Sequence, residues 1–516
     1  MSVSFVQSGL RSEPPAQRRA ATIDALSAAP LDLLIIGGGI VGSGVARDAA
    51  MRGLRVGLVE QHDFAFGTSS RSSRLLHGGM RYLAQGRLGL VREASVEKKI
   101  IHQIAPHLAS PLPFIFPAYN GNRDWVLWQL KLGVKIYDLL CGGRNLGKSS
   151  WLGKQETLAM VPALSGENLK GAVRYYDGFT NDARLVMDTL RSAAKSGALL
   201  LNYCPFKNAQ RADFWQCELE ELGAGTRFQI RARAVVNATG PWADGLPHSR
   251  VKLRLTKGIH VVVEHARVPV PDTVVMTEGK RILFAIPWGE RTILGTTDTD
   301  YDGPLDDVVA EEQDIAYVLS IANQFFPSAR LTGADVISTW AGLRPLLADP
   351  KGKPSDISRS HQISNPEPGW WDVAGGKLTT YRLMAEQTLD RVVNALSLKA
   401  TPCRTANEPL LPGNETRSGI LPPEFNRQEV EHYVSNEWAL CLDDVMIRRT
   451  RWQHYHKDAA QKAERVVEWM AELLRWPEAK RRDELDRYQR MIRAATPRKA
   501  TNPSAPRNDQ QLRAVA

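Results

Sequence analysis

Three glycines spaced as GxGxxG are the first residues that could do chemistry: Gly37, Gly39 and Gly42, in the run GGGIVG. The spacing has meaning only between a strand and a helix. Residues 31–36, LDLLII, are a short apolar run of buried-strand type, and a helical pattern follows from about Ile40 to Arg52, ended by Gly53. In that setting Gly37 makes the tight turn, Gly39 lets the backbone approach a pyrophosphate, and Gly42 brings the helix close to the sheet. The helix N-terminus adds N–H donors and the positive end of its dipole. A second strand, 54–60, ends on Glu60, about 20 residues on, where a carboxylate accepts hydrogen bonds from a ribose.

Further glycine and hydroxyl loops decide between dinucleotides. Thr68, Ser69 and Ser70 sit in GTSSRSSR, a loop suited to the phosphates and polyol of a flavin dinucleotide. His77-Gly78-Gly79 allows close backbone approach to a planar ring. Gly240 in ATG, Asp298 in GTTD, and Lys377, Leu378 and Thr379 in GGKLTT form later turns at strand ends. Each alone is an ordinary turn. Several such loops converging on one ligand suit a long flavin, FAD, better than a soluble nicotinamide coenzyme.

These residues need elements to hold them. A second α/β stretch spans about 173–240, with a helix near Asp182–Ser196 capped by Asn181 or Asp182, and a strand Ala234–Ala238. From about 251 to 400 the pattern alternates (HVVVEH, RILFAIPW, RTILGTTD) and predicts an antiparallel sheet. No glycine follows Gly419, and the segments 427–456 and 457–493 read as helical. The expected organisation is a flexible N-terminal arm (1–29) and a body (30–405) whose substrate domain lies mainly at about 80–165 and 250–345. A helical domain (406–495) and a disordered tail (496–516) follow.

Composition bounds the rest. With 516 residues, 43% hydrophobic and 24% charged, the chain is no collagen, disordered polymer or polytopic membrane protein. The net charge of +10 suggests an anionic partner. Four basic residues against Asp509 lie in the tail, and no basic stripe with interleaved aromatics appears, so no nucleic acid is expected. Five cysteines, dispersed and without CxxC, fit a reducing compartment and no metal.

The chain resembles the FAD-dependent, quinone-linked glycerol-3-phosphate dehydrogenases. The resemblance rests on DLLIIGGGIVGSGVARDAAMRGLRVGLVE (32–60), GTSSRSSRLLHGGMRYL (67–83), NATGPWAD (237–244), IPWGERTILGTTDTDYDG (286–303), AGLRPL (341–346) and GGKLTTYR (375–382), and more faintly on EWALCLDDVMIRRT (437–450). It implies an α/β fold: a glutathione-reductase-type, Rossmann-like FAD-binding domain, an antiparallel-sheet substrate domain and a short C-terminal helical domain. It implies oxidation of glycerol 3-phosphate to dihydroxyacetone phosphate, with hydride passing to FAD and electrons to a membrane quinone. It also implies a cytoplasmic protein peripheral to the membrane, with homodimer contacts.

Arg81, Arg344, Arg359 and Lys377 match the family's substrate-binding cations, and Tyr82 its active-site tyrosine. A phosphate dianion needs several fixed cations, and arginine holds it in a fork. Carbinol oxidation needs a base for the hydroxyl proton, for which His260 is the candidate; a satisfied sheet histidine is the equal alternative. Arg74 stands where the family commonly has lysine, and the helical domain looks abridged after Leu411-Pro412-Gly413. The segment 123–140, with Trp125, Trp128, Lys131 and Lys135, reads either as a lipid-interface helix or as one buried against the body. Arg448, Arg449 and Arg451 either meet anionic lipid or cap a helix. Competing functions are an oxidase using O₂ on the same substrate, an amino-acid or amine oxidase, and an RNA-binding or RNA-modifying flavoprotein.

Overall fold

The computed structural model of the protein describes residues 14–78, 87–121, 125–140, 146–223, 225–348, 361–417 and 419–495. Gly79, Arg81, Tyr82 and Arg359, and the tail 496–516, lie outside the described residues.

The first strand, Leu31–Ile36, is the centre of the FAD-type sheet. It pairs in parallel with Val56–Val59 on one side and with Thr226–Asn237 on the other. Leu33 and Ile35 enter one core cluster and Leu34 and Ile36 another, so the strand is buried on both faces. That is why it reads as an unbroken apolar run rather than an alternating one. The sheet continues through parallel Trp370–Gly375 and Leu199–Leu201, with antiparallel strands at its margins. Helices Ile40–Met51, Asp182–Lys195 and Tyr381–Leu396 pack on one face, around Val45, Ala49, Val186, Leu190 and Leu389. Asn181 caps the second of these by accepting from the Arg184 N–H.

Among the described residues, the second sheet has ten strands. It is antiparallel as expected, apart from one parallel pairing between Thr273–Glu278 and Ala109–Tyr119. Helix Glu312–Phe325 covers one face through Val318 and Ala322. Helix Leu127–Leu140 covers part of the other through Leu130 and Val134.

After Gly419, helices Arg427–Asn436, Trp452–Tyr455, Ala459–Leu474 and Glu478–Ala495, with a π-helical turn at Asp444–Arg449, enclose a core of their own around Tyr433, Val445, Trp452 and Met470. The N-terminal expectation needs correction. Residues Pro15–Ala28 form a helix rather than a flexible arm. Leu26 is buried, Arg19 pairs with Glu221 at 2.7 Å, and Arg18 donates to Ser435 O. The low apolar content of this stretch hid a helix anchored by its arginines.

Candidate active site

A cavity of about 860 Å³ runs from the glycine fingerprint to the second sheet. Gly37, Gly39, Glu60, Thr68, Ser69, His77, Gly240, His260, Asp298, Arg344, Lys377, Leu378 and Thr379 all line it. Residues far apart in sequence thus meet on one wall, because the loops sit at the ends of parallel strands and at the sheet junction.

The nucleotide end is built on close backbone contacts. Gly37 has φ +108°, and a Cβ there would lie 2.6 Å from Ala238 O. A Cβ on Gly42 would lie 1.9 Å from Gly37 O, so this glycine sets the helix against the strand from behind the wall. Helix Ile40–Met51 has Gly39 at its N-cap, which brings no side-chain cap, and Gly39, Ile40 and Val41 line the cavity. Glu60 is engaged at both oxygens: Gly38 N–H donates at 2.7 Å and His62 N–H at 2.9 Å. Burial pushes its carboxyl above the usual range against these bonds. Ser69 Oγ accepts from Ile40 N–H at 3.0 Å, and Thr68 Oγ1 donates to Leu343 O at 2.6 Å. Ser70 and Gly78 stand behind the lining: Ser70 O accepts from Arg451, and Gly78 N–H faces Tyr137 Oη at 3.2 Å and Asp177 at 3.3 Å.

At the other end, the strand Leu253–Glu264 carries His260 and pairs with Ser338–Leu347, which carries Arg344. Thr256 faces Arg344, Gly258 faces Gly342 and His260 faces Trp340, so the period of two puts all of these on one face. The Arg344 guanidinium lies flat over Gly258, where a Cβ would meet it at 2.3 Å. It bonds Asp298 Oδ1 at 3.2 Å and Thr296 Oγ1 at 3.0 Å. Asp298, read from sequence as a cofactor contact, therefore also orients a cation. His260 is 2% exposed, stacks on Trp340 with ring centroids 5.0 Å apart, and shares a hydrogen bond with Ser73 Oγ at 2.8 Å. Burial first, and then the Arg344 charge, push it down to about 3. It is a neutral imidazole at neutral pH.

Some site residues escaped the sequence reading. Arg71 lines the cavity beside Phe66, and burial lowers it to about 10. Ser73 holds His260. Lys98 and Asp177, paired at 2.7 Å, support Gly78 together with Tyr137. Ser73 stood inside the SSRSSR loop, but its partner His260 is 187 residues away in sequence, and no spacing rule reaches that far. Three arginines of the C-terminal helical domain decide against one of the two readings of their sequence, the lipid contact. Arg448, Arg449 and Arg451 are buried and paired with Asp63, Asp443, Asp444 and Asp182, so none forms a lipid-facing patch.

Residues 32–390 match the family of FAD dependent oxidoreductases, and residues 407–481 match the C-terminal domain of alpha-glycerophosphate oxidase. An aerobic glycerol-3-phosphate dehydrogenase of Staphylococcus aureus is 39% identical over 388 residues, which is 72% of this chain and 70% of that one. The chain belongs to the FAD-dependent oxidoreductases, in the glycerol-3-phosphate dehydrogenase family. A glycerol-3-phosphate dehydrogenase from Bacillus halodurans, solved with FAD, superposes with a TM-score of 0.75 at 30% identity, covering 93% of this chain and 98% of that one. An L-alpha-glycerophosphate oxidase of Mycoplasma pneumoniae, also solved with FAD, has a TM-score of 0.58 at 18% identity over 74% of this chain and 99% of its own, and shows the fold alone. FAD is this family's cofactor, and the residues present fit it. Side chains at Gly37 or Gly42 would collide with backbone, the first turn of the fingerprint helix lines the cavity at Gly39, Ile40 and Val41, and Arg71 adds a cation to the wall.

Proposed function

We propose that this protein oxidises glycerol 3-phosphate to dihydroxyacetone phosphate and delivers the electrons to a membrane quinone. The observation that carries the reading is the joining of two sites in one cavity. The FAD cradle and the cations Arg344 and Lys377 line the same wall, in a chain 39% identical to a glycerol-3-phosphate dehydrogenase. Arg81 and Arg359 complete the proposed phosphate clamp, with Tyr82 bonding the substrate.

Bound FAD supplies a two-electron acceptor for the hydride that leaves the secondary carbon. The chain's own residues do the rest. Arg344, held by Asp298 and Thr296, presents a preset fork to the phosphate and loses little side-chain freedom on binding. His260 is neutral and so able to accept the hydroxyl proton at a ring nitrogen, while Ser73 fixes the ring.

Peripheral membrane contact is part of the same proposal. No helix among the described residues is long and apolar enough to cross a membrane. The helix Leu127–Leu140 instead exposes Trp128 at 63%, Leu132 at 54% and Leu139 at 78%, and Trp151 is 56% exposed beside it. Lys131 and Lys135 both lie 5.5 Å from the Trp151 ring, so apolar and cationic groups share one face, as at an anionic lipid interface. Its inner face is nonetheless packed on the body, so both alternatives read from its sequence describe part of the same helix.

The test is product and acceptor analysis. Glycerol 3-phosphate should give dihydroxyacetone phosphate with stoichiometric quinol under anaerobic conditions, and little peroxide in air. Turnover in air with one peroxide per product would replace the quinone with O₂. Turnover of amino acids, and none of glycerol 3-phosphate, would overturn the reading.

A further inference from the structure

We infer that the C-terminal helical domain is a cofactor-retaining element, whose Arg448, Arg449 and Arg451 act as a clasp on the FAD cradle. The inference rests on FAD binding and not on the identity of the substrate.

Two segments of the cradle belong to no strand or α-helix and are held from outside. One is the turn 61–66 that follows Glu60. Its Ala65 N–H donates to Gly38 O at 3.0 Å, inside the fingerprint loop. Its Phe64 packs where a Gly38 Cβ would be, at 2.5 Å. Its Asp63 is fully buried and takes Arg449 in a two-pronged contact, at 2.5 and 2.9 Å, and Arg448 Nε at 2.5 Å. Both arginines stand on the π-helical turn Asp444–Arg449. Two cations at one carboxylate hold Asp63 ionised, below its ordinary range, despite burial. Asn202 ties the same carboxylate, at 3.0 Å, to Trp438 O of the helical domain, at 2.9 Å.

The second segment is the hydroxyl loop 68–73. Arg451 donates to Ser70 O at 2.7 Å and to Asp182, and Asp182 accepts from Ser72 N–H at 3.0 Å and Ser72 Oγ at 2.7 Å. Ser69 of this loop holds Ile40 N–H at the helix N-terminus where the pyrophosphate would sit. One short run of the helical domain therefore grips both walls of the nucleotide end. Both grips include a buried charge pair, Arg448 and Arg449 with Asp63 and Arg451 with Asp182, which is costly to break from one side only. By linkage, an element that orders the empty cradle tightens FAD, and FAD in turn stabilises the element.

The test uses full-length holoenzyme and its deflavinated form. Arg449→Lys and Asp63→Asn should weaken FAD at least tenfold by flavin-fluorescence titration, with KM for glycerol 3-phosphate unchanged once FAD is saturating. Arg427→Ala, at an exposed pair with Glu472 on the same domain, should leave FAD affinity unchanged. A merely structural role would lower the melting temperature and leave the affinity of the folded fraction intact, and that result overturns the clasp. In the unmodified protein, FAD should slow amide exchange across 443–451; equal exchange with and without FAD overturns it without any variant.

Discussion

His260 sets the residue-scale question, because the burial that places it in the cavity also removes its basicity. A histidine pushed to about 3 does not change charge between pH 5 and 8. The kcat of the enzyme should therefore show no inflection near 6.5, while His260→Gln should lower kcat by about 10²–10⁴-fold, the usual range for a lost general base. A wild-type inflection near 6.5 that vanishes in His260→Gln would contradict this assignment. Arg344 makes the complementary prediction. Removing a fixed cation from a phosphate costs about 1.5–3 kcal/mol, so Arg344→Ala should raise KM by roughly 10- to 100-fold. Its contacts are with Asp298 and the Thr296–Thr297 turn, so flavin content should stay intact, as absorbance would show. Flavin loss would mean that Arg344 serves the cofactor. At this scale the sequence displayed residue types but not partners. Gly37, Gly39 and Glu60 were legible because their roles are local, whereas Ser73 became meaningful only when the second sheet brought His260 to it.

Elements were more legible than contacts. The strand–helix–strand unit appears where the apolar run and the glycines placed it, with the second strand trimmed from 54–60 to Val56–Val59. The N-terminal helix was illegible because its anchors, Asn202 and Glu221, lie in other elements. The fingerprint helix carries a sharp expectation. Gly42→Ala puts a Cβ 1.9 Å from Gly37 O, an overlap only backbone movement can relieve. The variant should be isolated with little FAD, measured as the ratio of flavin to protein absorbance; full occupancy would show that the helix can retreat at no cost to binding. The helix Leu127–Leu140 carries another. A Trp128→Glu, Leu132→Glu double variant should lose flotation with anionic liposomes at low salt while keeping its flavin. Unchanged flotation would remove this face from the membrane proposal.

The whole molecule joins two sheets around one cavity, with a helical domain against the loops behind it, and its net charge proves a poor guide to its partner. Of the basic residues, many are spent inside: Arg184 on Glu437, Arg382 on Glu97, and Arg448 and Arg449 on Asp63. Few face the cavity, Arg71, Arg344 and Lys377 among them, and the glycine-rich loops gather in the body, where Gly37, Gly39 and Gly240 line that cavity. The measurement that tests this joined site most directly is anaerobic reduction of the bound flavin. Glycerol 3-phosphate should bleach the flavin absorbance rapidly, whereas glycerol, lactate and D-amino acids at equal concentration should not. Bleaching by glycerol as fast as by its phosphate ester, or by an amino acid alone, would contradict a cavity built to hold a phosphate beside FAD.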